Sequence, residues 1–102
     1  MEGERRAQAA WWIHGHRRLP LESLELQVTR TEGGELQVHA TGVLKGRASG
    51  LSPGDQDVEL ELEMDGSCYR IANAVVFDVD LLASGECSVQ VTGILEPLEA
   101  GR

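Results

Sequence analysis

Sliding the sequence against itself by 51 positions, without a gap, lays its first half on its second. Ala7, Ala9, Trp11 and Ile13 fall on Val58, Leu60, Leu62 and Met64. His14-Gly15 falls on Asp65-Gly66, Gly34-Glu35 on Gly85-Glu86, and Thr41-Gly42-Val43-Leu44 on Thr92-Gly93-Ile94-Leu95. Residues 11–46 and 62–97 share eight identities in 36 pairs: Gly15, Val28, Gly34, Glu35, Val38, Thr41, Gly42 and Leu44. Self-similarity at a fixed period marks a repeated structural unit. It predicts a single domain over residues 1–102, with tandem repeats at about 4–46 and 55–97 and a linker at 47–54.

The second repeat shows what kind of unit this is. Residues 57–64 alternate Val58, Leu60, Leu62 and Met64 with Asp57, Glu59, Glu61 and Glu63. Period-two alternation of that length is the signature of a strand with one buried face. The repeat carries the same reading to residues 6–13, with Ala7, Ala9, Trp11 and Ile13 inward, although the alanines also allow an amphipathic helix over 4–14. Asp65-Gly66 predicts a two-residue type I′ hairpin turn, and His14-Gly15 takes its place in the first copy. Short strands follow at 16–19 and 67–72, then third strands at 23–30 and 74–81. Their expected inward sets are Leu24, Leu26 and Val28, and Val75, Phe77, Val79 and Leu81. Gly33-Gly34 and Ser84-Gly85 turn the chain into fourth strands at 35–45 and 86–96. Gly42 and Gly93 lie inside those strands, where a glycine marks a bulge or a close backbone approach.

The expected fold is all-β: an antiparallel sandwich or barrel of about eight strands from two four-stranded repeats. Each half has one apolar face to cover, and the other half, related by a pseudo-two-fold axis, is the available cover.

Charge narrows the partners. The chain carries −8, but residues 1–51 carry seven basic and six acidic side chains while residues 52–102 carry two and eleven. Such an acidic whole argues against nucleic acid. Apolar runs such as residues 74–77 are too short to span a membrane, and the first six residues lack the apolar core of a signal peptide. A cytoplasmic or virion-associated location is the expectation. Cys68 and Cys87 do not make a disulfide framework, and Cys87 shares the phase of Val89 and Val91, as a small buried hydrophobe would.

No motif carries chemistry. His14 and His16 form a His-x-His across a turn, but nothing in the spacing brings His39 to them, so no metal is assigned. Asp78 and Asp80 lie two apart on one strand face, where a solvated surface explains them better than acid–base work. No nucleophile elbow or phosphate loop occurs, and no cofactor is implied.

The acidic positions Glu59, Glu61 and Glu63 point one way. On an edge strand such charges discourage aggregation. Their counterparts in the first copy are Gln8, Ala10 and Trp12, with Arg17 and Arg18 nearby. A basic patch with an outward tryptophan on one copy and an acidic ladder on the other suit head-to-tail contact, or a charged protein partner.

Residues 61–93, with Asp65-Gly66-Ser67-Cys68-Tyr69-Arg70-Ile71-Ala72-Asn73-Ala74 at their centre, resemble the C-terminal part of phage tail-tube proteins. There a short strand, a Gly-containing turn, an aromatic-x-Leu/Ile-x-Asn-Ala segment and a final Gly-turn strand recur. The resemblance covers about a third of the chain and implies a β-sandwich that stacks into rings. The expected function is a non-enzymatic protein-binding or self-assembly module, as a homo-oligomer or with a protein partner. Its contacts would use Trp12, Arg17, Arg18, Glu59, Glu61 and Glu63. The alternative is a small-molecule-binding barrel, or an enzyme with a pocket between the repeats.

Overall fold

The structure is a computed structural model and describes residues 2–14, 17–44, 53–56 and 58–98. It is all-β, with seven strands among the described residues: β1 (Gly3–Arg6), β2 (Ala9–His14), β3 (Arg17–Arg30), β4 (Leu36–Leu44), β5 (Glu59–Met64), β6 (Ser67–Leu81) and β7 (Cys87–Pro97). Strands β3-β2-β5-β6-β7-β4 form an antiparallel sheet that closes through β3–β4 pairing into a six-stranded barrel. Strand β1 is the seventh, added to the edge of β3. No described helix is long and apolar enough to cross a membrane.

The strands expected at 16–19 and 23–30 are one bent strand, β3, and those at 67–72 and 74–81 are one bent strand, β6. Each bends at a residue with positive φ, Ser23 (54°) and Asn73 (54°), where the ladder also shifts register. Such bulges turn a flat strand enough to serve two neighbours along a barrel wall. The glycines of the last strands lie against these bends. A Cβ on Gly42 would stand 3.1 Å from the Leu21 and Leu24 side chains. One on Gly93 would stand 2.5 Å from Ile71 Cγ2 and 2.7 Å from the Ala72 carbonyl oxygen. The expected close approach is therefore present in both halves.

Asp65 and Gly66 both have positive φ (53° and 77°), as the expected I′ turn between β5 and β6 requires. Of the matching turn in the first half, Gly15 lies outside the described residues, as do residues 47–52 of the expected linker.

The two halves correspond element by element, but not at one constant spacing. Strands β2 and β5, the bends at Ser23 and Asn73, and the buried pairs Leu21/Ile71, Leu24/Ala74 and Leu26/Val76 lie 50 positions apart. The turns after β3 and β6 lie 51 apart: Gly34 N–H donates to the Thr31 carbonyl at 3.0 Å, and Gly85 N–H to the Leu82 carbonyl at 3.0 Å. The buried pairs Val38/Val89, Ala40/Val91 and Leu44/Leu95 follow at the same 51. The spacing changes at a second bulge of β6, between Val76 and Asp78, which β3 lacks; Phe77 is the residue without a cross-strand partner.

This one residue overturns part of the expected packing. A one-residue slip turns every side chain of a strand to the other face. Upstream of Phe77, the ungapped 51-residue alignment therefore assigns wrong faces. In β2 the residues inside the barrel are Ala10 and Trp12, not Ala9, Trp11 and Ile13. In β6 they are Ile71, Ala74 and Val76, not Val75 and Phe77; Val79 packs against the core as expected, while Phe77 is 61% and Leu81 77% exposed. The barrel interior is filled by twenty buried apolar side chains, and no polar or charged side chain is buried among the described residues. Cys87 is part of that core, and both cysteines are free.

Candidate interaction surfaces

The expected contact residues meet at the seam between β2 and β5. There Trp11 pairs with Glu61, residues that occupy corresponding positions in the two halves. On the far side of the barrel Ala40 pairs with Val91, again corresponding positions. The seam is thus where the halves face each other.

Trp12 is 2% exposed and points into the barrel, so it is not an outward contact residue. Its neighbour Trp11 holds the outer face instead. Arg18 on β3 lies with its guanidinium carbon 4.8 Å from the Trp11 ring centroid, and its Nη1 donates to Glu61 Oε1 at 3.0 Å. The stacked, ion-paired guanidinium suits arginine, whose planar group can do both at once. Arg17 and Glu59 are exposed, and Glu63 is half-buried. Strand β5 is not an edge strand: β2 and β6 flank it, so its glutamates do not guard an edge. The basic and acidic groups expected to meet between molecules are neighbours on one surface, and one pair of them is closed within the chain.

His14 and His39 join no metal-holding group among the described residues. His16 lies outside the described residues, and no group of three His, Cys, Asp or Glu able to hold a metal occurs among the described ones. His39 Nε2 lies 3.0 Å from Gln90 Oε1, and its ring meets Phe77 edge-on at 5.5 Å between centroids. A shallow depression beside it is lined by Glu4, Arg6, Glu25, Gln27, His39 and Thr41, all from the first half. Two further open depressions draw on both halves, one lined by His14, Val58, Glu59, Arg70 and Asn73 and the other by Arg30, Glu35, Asn73 and Glu96.

The surface that sequence reasoning missed is the C-terminal part of β6. The large hydrophobic residues exposed among the described ones are Phe77, Leu81 and Leu82, all within six positions. Asp78 and Asp80 stand among them. The alternation was legible in the sequence; the face up to Phe77 was not, because the bulge there decides it, while Val79 keeps its expected inward phase.

The comparisons with known proteins give no match: no family model, no curated protein and no solved structure corresponds to this chain.

Proposed function

We propose that the protein is a non-enzymatic module that binds a protein partner or assembles with copies of itself. The observation that carries this reading is the exposure of Phe77, Leu81 and Leu82 within six positions of the chain. Exposed apolar side chains gathered on a small domain mark interaction sites more often than scattered ones do. The wholly apolar interior supports it further, since a site for a small polar ligand needs convergent polar groups that this core does not hold. A structural role in a phage tail is the narrower form of the reading. It draws on the resemblance of residues 61–93 and on a closed β-domain being a suitable building block for stacked rings.

The contact surface of the reading moves accordingly. Arg17, Arg18, Glu59, Glu61 and Glu63 remain surface charges, but Arg18 and Glu61 already neutralise each other. Light scattering at low and high salt tests the assembly form. An oligomer that weakens with salt places charged groups between molecules, because exposed charge pairs are screened. A salt-independent oligomer places Phe77, Leu81 and Leu82 there. A monomer at both salts removes self-assembly and leaves a heterologous partner, which cross-linking in the native source would capture.

A further inference from the structure

We infer that the outward faces of β2 and β5 form a pairing code: the second half of a chain joins a first half and is kept from joining the second half of another copy. The inference concerns how the halves recognise each other and stands apart from the protein-binding reading above.

The near-two-fold relation of the halves makes such a code necessary. Trp11 of β2 pairs with Glu61 of β5, its counterpart 50 positions on, and Ala9 and Ile13 pair with Glu63 and Glu59. A strand that meets its own counterpart about such a point has the geometry to meet a second copy of itself. Two molecules then have an alternative to two monomers, with one barrel built from both first halves and another from both second halves.

The barrel interior does not forbid that exchange. Pairing about Trp11 would set Ala10 against Trp12, and pairing about Glu61 would set Leu60 against Leu62. All four are buried apolar residues, which meet in the chain as Ala10–Leu62 and Trp12–Leu60. The far seam does not forbid it either, since its paired residues, 37–44 and 87–94, hold no carboxylate, lysine or arginine. Two first halves joined about Trp11 would oppose only Ala9, Trp11 and Ile13, which carry no charge.

The outer face of β5 does forbid it. Two second halves joined about Glu61 would set Glu61 against Glu61, and Glu59 against Glu63 on either side. Like charges directly opposite on a sheet are destabilising. In the seam between unlike halves the same glutamates face Ala9, Trp11 and Ile13. Glu61 also gains Arg18, whose Nη1 donates to it at 3.0 Å and whose guanidinium carbon lies 4.8 Å from the Trp11 ring centroid. Arg18 pairs with Ile13 as Cys68 pairs with Glu63, so the second half has Cys68 where the first has this arginine. That cation therefore reaches Glu61 only where unlike halves meet. Arg70, directly opposite Glu61 on β6 and 3.6 Å from Glu96, stays beside β5 in either pairing and favours neither.

The test uses full chains. The wild-type chain and a chain carrying Glu59→Lys, Glu61→Lys and Glu63→Lys, one of them ¹⁵N-labelled, are unfolded in urea and refolded together. The protein concentration is about 1 mM, where joining a second molecule competes with closing on the same chain. Native mass spectrometry is expected to show mixed dimers at least about tenfold more abundant than dimers of either chain alone, because lysine then opposes glutamate between second halves. Mixing the two proteins already folded should give none, since the barrels must open to exchange halves. Mixed dimers no more abundant than same-chain dimers, or formed equally without unfolding, would overturn the inference. A chain with Glu59→Gln, Glu61→Gln and Glu63→Gln keeps the shape of the seam and decides the matter if the lysine chain fails to fold. Refolded alone, it should yield at least about tenfold more dimer than the wild-type chain, and an equal yield would overturn the inference. An oligomer held by a surface contact forms from folded protein, so the assembly reading stands or falls separately.

Discussion

The two halves of this barrel use nearly the same elements and finish them differently. In the first half, β3 runs unbroken from its bend at Ser23 to Arg30, and β1 lies along its outer edge, tied down by Arg6–Glu25 at 2.8 Å and Arg30–Glu2 at 2.8 Å. In the second half, β6 carries an extra bulge at Phe77, and residues 54 and 55 meet its edge through backbone hydrogen bonds with Val76. One additional residue changes which side chains face water. Two similar sequences can thus supply comparable parts of a closed core while differing in which side chains they turn to the surface.

The comparison breaks most visibly at its shared centre. Trp12 and Leu62 occupy corresponding inward positions and are both almost wholly buried. Trp12→Ala is expected to cost about 3–5 kcal/mol and Leu62→Ala about 2–5 kcal/mol, by urea titration, because each leaves a cavity in a packed core. In a domain with about 5–15 kcal/mol of total stability, either variant approaches unfolding at room temperature. If Trp12→Ala were neutral, the inward face of β2 would be wrong.

Next in size is the spacing change itself. Deleting Phe77 removes the second bulge and brings β6 into line with β3; the cost is expected to stay below about 2 kcal/mol. Deleting Gln27, its counterpart in the unbulged β3, slips Val28 out of the core and should cost more than about 3 kcal/mol. Thermal denaturation of the two deletions decides the point: equal costs would mean that Phe77 is not the inserted residue.

The glycines sharpen the comparison further. Gly93→Ala should cost about 1–3 kcal/mol, since the new methyl would press on a backbone carbonyl as well as on Ile71. Gly42→Ala should cost less than half of that, because its neighbours are leucine side-chain ends that can move. The bends give the smallest contrast. Ser23→Gly should stabilise by a few tenths of a kcal/mol to about 1 kcal/mol by relieving positive φ, whereas Asn73→Gly should be near neutral because asparagine tolerates that conformation. Chemical denaturation of the four variants would reveal any inversion of these orders. Arg18→Ala, which loses an exposed ion pair and a ring contact, should cost about 1 kcal/mol at most.

The fold class was legible in the sequence because alternation such as that of Val58 to Met64 is a property of the strand alone. The turn at Asp65-Gly66 and the close approaches at Gly42 and Gly93 were legible for the same reason: each depends on a local conformation that few residues adopt. The faces of β2 and β6 were not. An ungapped alignment has no way to register a bulge, and a bulge leaves no mark in composition; Phe77 reads as one more apolar residue in an apolar strand. The misplacement of Trp12 among contact residues followed directly from that slip. So did the inward placing of Phe77; Leu81 keeps the inward phase of Val79 and is exposed all the same.

What the sequence by itself determined is the all-β class, the near-repetition of its parts, the positions of the tight turns and the imbalance of charge. Each is written in neighbouring residues. Tertiary structure alone decided that the sheet closes into a barrel, that Trp12 rather than Trp11 fills it, that Arg18 answers Glu61 across the seam, and that Phe77 bulges out of β6. These depend on the register between strands far apart in the chain, where a single extra residue turns each following side chain to the opposite face.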